Sequence, residues 1–348
     1  MEHPYQRQPP QAFWRKAVSA RHPLDVADWY SRRFSLDGAR IATAGSCFAQ
    51  HIGRALRTQG FGYQDAEPPP LGLPQDQWAN YGYGHYSARY GNVYTSRQLI
   101  QLVRRALGQF IPKEDVWKRD GGVVDPFRPT LEPEPFGSVA EMEALRRDHL
   151  DCVADLLSRT DVFVFTLGLT EAWLSRADGA AFPLCPGTAG GSFDAALHAF
   201  HNLRAAEVRL DMEAFLQAVR QINPAMKVLL TVSPVPLMAT ATDAHVAVAS
   251  SHSKAVLRSV AGEMAMDHAD VDYFPSYEII TAPFMKGFFF QPDGREVSPH
   301  GVSHVMDVFF SQHRPPPAAQ SPVSKGVDAS EQDRVKCDEE LLNAFARP

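Results

Sequence analysis

Cysteine is scarce in this chain. There are four in 348 residues, Cys47, Cys152, Cys185 and Cys337, with no CxxC pair and no regular spacing. That excludes a disulfide framework and a cysteine-based zinc site. Basic charge is not in excess either. Lys and Arg number 34 against 40 Asp and Glu, a net charge of −6, which gives no electrostatic ground for nucleic-acid or anionic-membrane binding as the main task. No apolar run reaches the ~18 residues of a bilayer span. The opening MEHPYQRQPPQAFWRKAVSA lacks the roughly 7–15-residue apolar segment of a signal peptide. A soluble cytoplasmic protein is the expectation. What the sequence does have is an ordinary globular balance, 45% hydrophobic and 21% charged, with ample material for a core. A partner protein is compatible with it.

Residues 1–35 alternate polar and aromatic positions around Pro9, Pro10 and Pro23 and read as an arm on the surface of a domain over 36–311. Residues 312–348 begin with Pro315, Pro316 and Pro317 and continue in Ala, Ser and charge. They read as a disordered tail with one short helix over 339–346. Between the ends, strand and helix patterns alternate. Residues 40–44, 161–167, 227–232 and 271–274 read as strands; 47–59, 96–107, 138–158, 211–222, 253–265 and a segment opened by Ser298-Pro299 read as helices. DVFVFTL at 161–167 is apolar nearly throughout, as a strand buried on both faces is. This order predicts a three-layer α/β/α fold with a mainly parallel central sheet, whose ligand site lies beyond the carboxyl ends of the strands.

ATAGSCFAQHIG, residues 42–53, places Gly45-Ser46 at a tight strand-to-helix turn. The Ser46 hydroxyl is expected at an exposed bend, with the amides that follow at a helix N-terminus, where negative charge is stabilised. A serine so placed is either a nucleophile or a helix cap. Cys47 beside it is a second candidate nucleophile.

GSCFA at 45–49 is the signature of the GSCFA family, and further blocks resemble it in order: RYGNVYT at 89–95, TLGLTEAW at 166–173, VSPVP at 232–236, Ser253-Lys254 with Leu257-Arg258, and YFPSYE at 273–278. The family looks related to the SGNH (GDSL-like) hydrolases, and that resemblance implies roles. Ser46 stands where the nucleophile would be. Gly91, followed by Asn92, stands where a backbone N–H meets the oxyanion. Gly168-Leu169-Thr170-Glu171 stands in the register of Gly-x-Asn-Asp, with Thr170 in place of the oxyanion-hole asparagine. The Asp-x-x-His block falls on Asp293-Gly294-Arg295-Glu296, so Glu296 occupies the histidine position. The base is left open between His300, four residues on, His201 in HAFHN, and Glu296 itself.

Other residues carry two readings each. Glu171 orients a base or binds a hydroxyl, or else caps a helix. Trp173, with Tyr83, Tyr86, Tyr90 and Tyr94, forms a platform for sugar rings or packs the loops down. Ser253-Lys254 is a Ser–Lys dyad or, more simply, solvated helix surface. Arg258 with Glu278 is a buried ion pair or a surface one. His300 and His304 at i, i+4 have metal-ligand spacing but no carboxylate between them, and a structural role is the simpler reading. Together these imply a serine-dependent esterase or O-acyltransferase acting on an O-acyl group of a small molecule or carbohydrate, with no cofactor and no metal. The alternative is an eroded module of the same fold that binds a saccharide or a protein.

Overall fold

The chain's structure, a computed structural model, describes residues 3–313, 335 and 337–346. In chain order the strands are β1 (Arg40–Gly45), β2 (Gly62–Tyr63), β3 (Trp117–Arg119), β4 (Gly122–Val124), β5 (Val162–Leu167), β6 (Glu171–Ser175), β7 (Ala181–Phe182), β8 (His198–Asn202), β9 (Lys227–Val232) and β10 (Val271–Phe274). The α-helices are α1 (Ala49–Thr58), α2 (Ser96–Ala106), α3 (Val139–Arg159), α4 (Ala205–Ile222), α5 (Val246–Asp267), α6 (Ser276–Thr281) and α7 (Pro299–Gln312).

Five strands form one parallel sheet in the order β10-β9-β5-β1-β2. Alternation along β5 divides the core. Phe163, Phe165 and Leu167 pack with Leu99, Val153 and Phe215 of α2, α3 and α4, and with Leu257 of α5. Val162 and Val164 pack on the other side with Ile52, Ile279 and Phe309 of α1, α6 and α7. Period-2 side-chain direction in a strand buried on both faces produces this division. The fold is therefore the expected three-layer α/β/α arrangement.

The first residues pack against this domain through Tyr30 and Phe34, both buried. Tyr30 donates to Asp272 at 2.7 Å, and the Arg33 guanidinium donates to the carbonyls of His268, just past α5, at 2.8 Å and of Val271, at the start of β10, at 2.7 Å.

Two features differ from the sequence reading. Helices α4 and α5 begin several residues earlier than expected, at Ala205 and Val246, with the first turn of α5 already apolar. Two small antiparallel sheets were also missed, the hairpin β3-β4 and the sheet β7-β6-β8. The second of these inserts after β5 and carries Trp173 opposite Phe182 and Phe200. Among the described residues no helix is long and apolar enough to cross a membrane.

Near the end of the chain a short helix was expected over 339–346, and Asp338–Phe345 form a 3-10 helix there, with Asp338 and Glu339 at its start buried. The expectation of disorder over 314–334 and at 336, 347 and 348 lies outside the described residues.

Candidate active site

The site begins where β1 ends. Gly45 has φ of +142°, and a Cβ there would lie 2.4 Å from the Thr166 carbonyl oxygen, so only glycine lets β1 close so tightly on β5. Ser46 follows. Its amide donates back to that same carbonyl at 3.1 Å, and its carbonyl accepts from the Ala49 amide at 2.8 Å, opening α1. The Ser46 N–H is thus committed to the sheet. The amides of Cys47 and Phe48, in the turn before α1, meet no acceptor among the described residues.

The Ser46 hydroxyl is not on an exposed bend. The residue is 3% exposed, and its Oγ is buried without a hydrogen-bond partner among the described residues. It faces a small space of about 10 Å³ bounded by Cys47, Tyr94, Gly168, Ser233, Lys254 and Glu339. That volume is at the lower limit for one water molecule. Gly168 is pressed against the serine, since a Cβ on it would lie 2.9 Å from the Ser46 Cβ.

Lys254 is the decisive neighbour. It lies on α5, 4% exposed, and its Nζ donates to the Gly168 carbonyl at 2.6 Å. Burial pushes its pKa down to about 8; the Glu339 carboxylate opposes that fall and the Arg295 guanidinium adds to it. Ser253, beside it, is also buried and accepts from the Thr170 amide at 3.0 Å. The expectation of a solvated Ser253-Lys254 pair is thereby corrected. The apolar period of α5 begins earlier than the sequence reading placed it, so this face of the helix turns inward.

The other side of the cavity comes from the end of the chain. The Asp338 carboxylate accepts from Asn92 Nδ2 at 2.7 Å and from Thr130 Oγ1 at 2.6 Å, and its amide donates to the Tyr94 hydroxyl at 3.1 Å. Glu339 accepts from Arg295 Nη2 at 3.5 Å and from the Met238 amide. Burial raises its pKa, while Arg295 and Lys254 pull it back. The Cys337 thiol faces Cys47 and accepts from Arg295 Nη2 at 3.6 Å. That thiol contact and burial push Cys47 well up, so it is no activated nucleophile.

The residues singled out from the sequence divide into those near Ser46 and those far from it. Gly91 and Asn92 adjoin the cleft. Gly91 has φ of +68°, and Asn92 Oδ1 accepts from the Tyr86 hydroxyl, which also donates to the Ser46 carbonyl at 3.2 Å. Gly168 lines the cavity. Thr170 does not: its hydroxyl donates to Asn202 at 2.6 Å. Glu171 opens strand β6 rather than capping a helix, and its carboxylate accepts from Thr240 Oγ1 at 2.5 Å and the Ala241 amide at 3.1 Å. Trp173, with Phe193 at 5.4 Å between ring centroids, borders a separate open groove of about 450 Å³ that Leu342 and Phe345 also line. Tyr86, Tyr90 and Tyr94 are buried and pack the loops, while Tyr83 carries the Arg89 guanidinium on its face at 4.1 Å.

The three candidate bases lie elsewhere. His201 is held by Glu207 at 2.7 Å on β8. His300 is exposed and stacks edge-on against Phe288. Glu296 is exposed, at the rim of an adjoining cavity of about 200 Å³ that also includes Cys47, His51 and Arg295. Asp293 is exposed and caps the turn, accepting from the Arg295 and Glu296 amides. His51, which the sequence reading passed over, is neutral, since burial and Arg54 push it down to about 4. No histidine borders the Ser46 cavity among the described residues. His304, expected to pair with His300, stacks on Phe289 at 4.9 Å, and Arg258 pairs with Glu278 near the surface. No cluster of His, Cys, Asp and Glu suited to a metal occurs among the described residues.

Arg295 and the pair Asp338-Glu339 are the site residues that sequence reasoning did not single out: Arg295 lies inside the 293–296 block without a role of its own, and Asp338-Glu339 shows no motif. No curated protein matches the chain. The GSCFA family profile matches residues 40–309, from the first residue of β1 into α7, and includes Ser46, Gly168, Lys254 and Arg295. With most of its length so matched, the chain belongs to the GSCFA family.

Proposed function

We propose that the protein is a serine-dependent esterase or O-acyltransferase with an SGNH-like fold, in which Ser46 is the nucleophile and Lys254 the base. One observation supports this most. A buried serine hydroxyl with no hydrogen-bond partner among the described residues lines the same small cavity as a buried lysine. Serine with lysine is a known substitute for serine with histidine. Neutral Lys254 takes the Ser46 proton as Oγ attacks the acyl carbonyl. The oxyanion meets the free Cys47 and Phe48 amides at the head of α1. Collapse breaks the ester bond, and the leaving alkoxide recovers the proton from the Lys254 ammonium. Water or a second hydroxyl then releases the acyl group by the reverse sequence. The Trp173–Phe193 groove supports a carbohydrate ester as substrate, because aromatic faces stack on sugar rings. The four free thiols suit a reducing compartment and support a cytoplasmic location.

A second reading rests on a different observation. Ser46 is covered and no imidazole borders it among the described residues, as expected of a module that binds a saccharide or a protein without catalysis. A fluorophosphonate probe separates the two. Covalent capture at Ser46, lost in Ser46→Ala and kept in His201→Ala, His300→Ala and His51→Gln, supports the enzyme. Absence of capture, with thermal stabilisation by an oligosaccharide, refutes it in favour of the binder.

A further inference from the structure

The segment lying over Ser46 behaves chemically as a ligand. Its two carboxylates are held at separate points, Asp338 by Asn92 and Thr130, Glu339 by Arg295 and the Met238 amide. Arg295 and Glu339 side chains are only 12% and 11% exposed, so this is an interior ion pair. The fit is incomplete in a telling way. Arg295 engages through Nη2, while its Nε is buried with no partner among the described residues, and so is Ser46 Oγ. A guanidinium prefers to grip a carboxylate with two parallel bonds. Buried donors left idle are costly, and a native interior leaves few. Two idle groups flanking one occupant indicate a cleft shaped for something that would satisfy both.

The occupant is also weakly anchored by apolar contact. Beyond Glu339, Leu342 and Phe345 reach the Trp173 groove, but Leu342 is only half-buried there and Phe345 remains 65% exposed. Hydrogen bonds and charge therefore do most of the holding, and those terms exchange readily with a competing anion.

We propose that the cleft over Ser46 is a binding site for a carboxylate-bearing ligand, and that Cys337–Glu339 of the chain is its tethered occupant. That this ligand is the substrate rests on the serine reading above; that the cleft takes a carboxylate does not. With the segment in place, the space beside Ser46 admits no acyl group. The site is closed until the segment leaves. A carboxylate on the incoming molecule then takes the Arg295 fork, Nε included, and displaces Glu339. Being part of the chain, the segment competes at an effective concentration of roughly millimolar, so a free ligand must exceed that or bind better.

The test uses the full chain. A fluorescent peptide of residues 337–345 is titrated into wild type and into the Asp338→Lys/Glu339→Lys variant, with binding read by anisotropy. The variant is expected to bind the peptide at least tenfold tighter, because its own segment is repelled by Arg295 and Lys254. Glutarate is expected to displace the peptide, and inorganic phosphate at the same concentration is expected to leave it bound. Equal peptide affinity in the two proteins overturns the tethered occupant; displacement by phosphate as readily as by glutarate overturns the carboxylate assignment. Asp338→Asn/Glu339→Gln repeats the comparison should the lysine variant fail to fold. Fluorophosphonate capture run in parallel keeps the two readings apart. Peptide binding gained without capture leaves this site standing and removes the serine chemistry. Capture at equal rates in both proteins, with no peptide binding, does the reverse.

Discussion

Lys254 makes the mechanism measurable through pH. Its pKa falls from 10.5 to about 8, mainly through burial. An amine with that value is roughly one-tenth neutral at pH 7 and nine-tenths neutral at pH 9. The rate of fluorophosphonate capture should therefore rise about tenfold across that interval and level off. An ordinary lysine would give a rise of roughly a hundredfold with no plateau. The same shift acts on stability. A base whose folded pKa is depressed contributes stability that is complete above its unfolded value and lost as pH falls through the folded one. The window here runs from pH 10.5 down to about 8, and the shift amounts to about 3 kcal/mol at ~1.4 kcal/mol per unit. Lys254→Met should lose capture by about 10²–10⁴-fold and flatten the denaturant midpoint over that window. A variant that is captured at the wild-type rate, or a wild-type profile still climbing steeply at pH 9.5, refutes Lys254 as the base.

Two further outcomes follow from packing and from burial. Gly168→Ala puts a methyl group 2.9 Å from the Ser46 Cβ and 3.0 Å from the Tyr94 carbonyl oxygen, so it should destabilise the fold by about 1–3 kcal/mol and abolish capture, read by chemical denaturation and by the probe. The Glu67–His149 contact at 2.5 Å is an imidazole N–H donating to a carboxylate rather than an ion pair at pH 7, because burial and Arg128 push His149 down to about 4. Burial opposes the ionised Glu67, but His149 and Arg128 outweigh it and hold the carboxyl at about 2. Stability should accordingly fall as pH drops from 6.5 to 4, and His149→Gln should remove that limb of the thermal-melting profile; an unchanged limb contradicts the assignment.

The parts of the fold that could be read in advance were those with one dominant period. DVFVFTL, KVLLTV and the 3.6-residue pattern of α2 fixed β5, β9 and a helix to within a residue or two. The sheet β7-β6-β8 was hidden because its strands are half-buried and pair only with each other, so no alternation stands out. The site was half legible. GSCFA located Ser46 because a glycine at φ of +142° is a local requirement of the turn. Lys254 was misjudged because a helix face is assigned from apolar neighbours, and a buried lysine looks from sequence like a solvated one. The part played by Asp338 and Glu339 had no local signal at all. Their partners Asn92, Thr130 and Arg295 are remote in sequence, and a Pro-, Ser- and charge-rich approach reads as disorder.

Arg295 connects the chemistry of the base to the filling of the cleft. Its charge helps keep Lys254 neutral, as a base must be, and it is also the group that grips Glu339. When the Glu339 carboxylate is in place it raises the Lys254 pKa, working against Arg295. The segment therefore restrains the site twice, by filling the space in front of Ser46 and by favouring the protonated amine. On the proposed reading, departure of the segment opens the space in front of Ser46 and removes the Glu339 charge that favours the protonated amine.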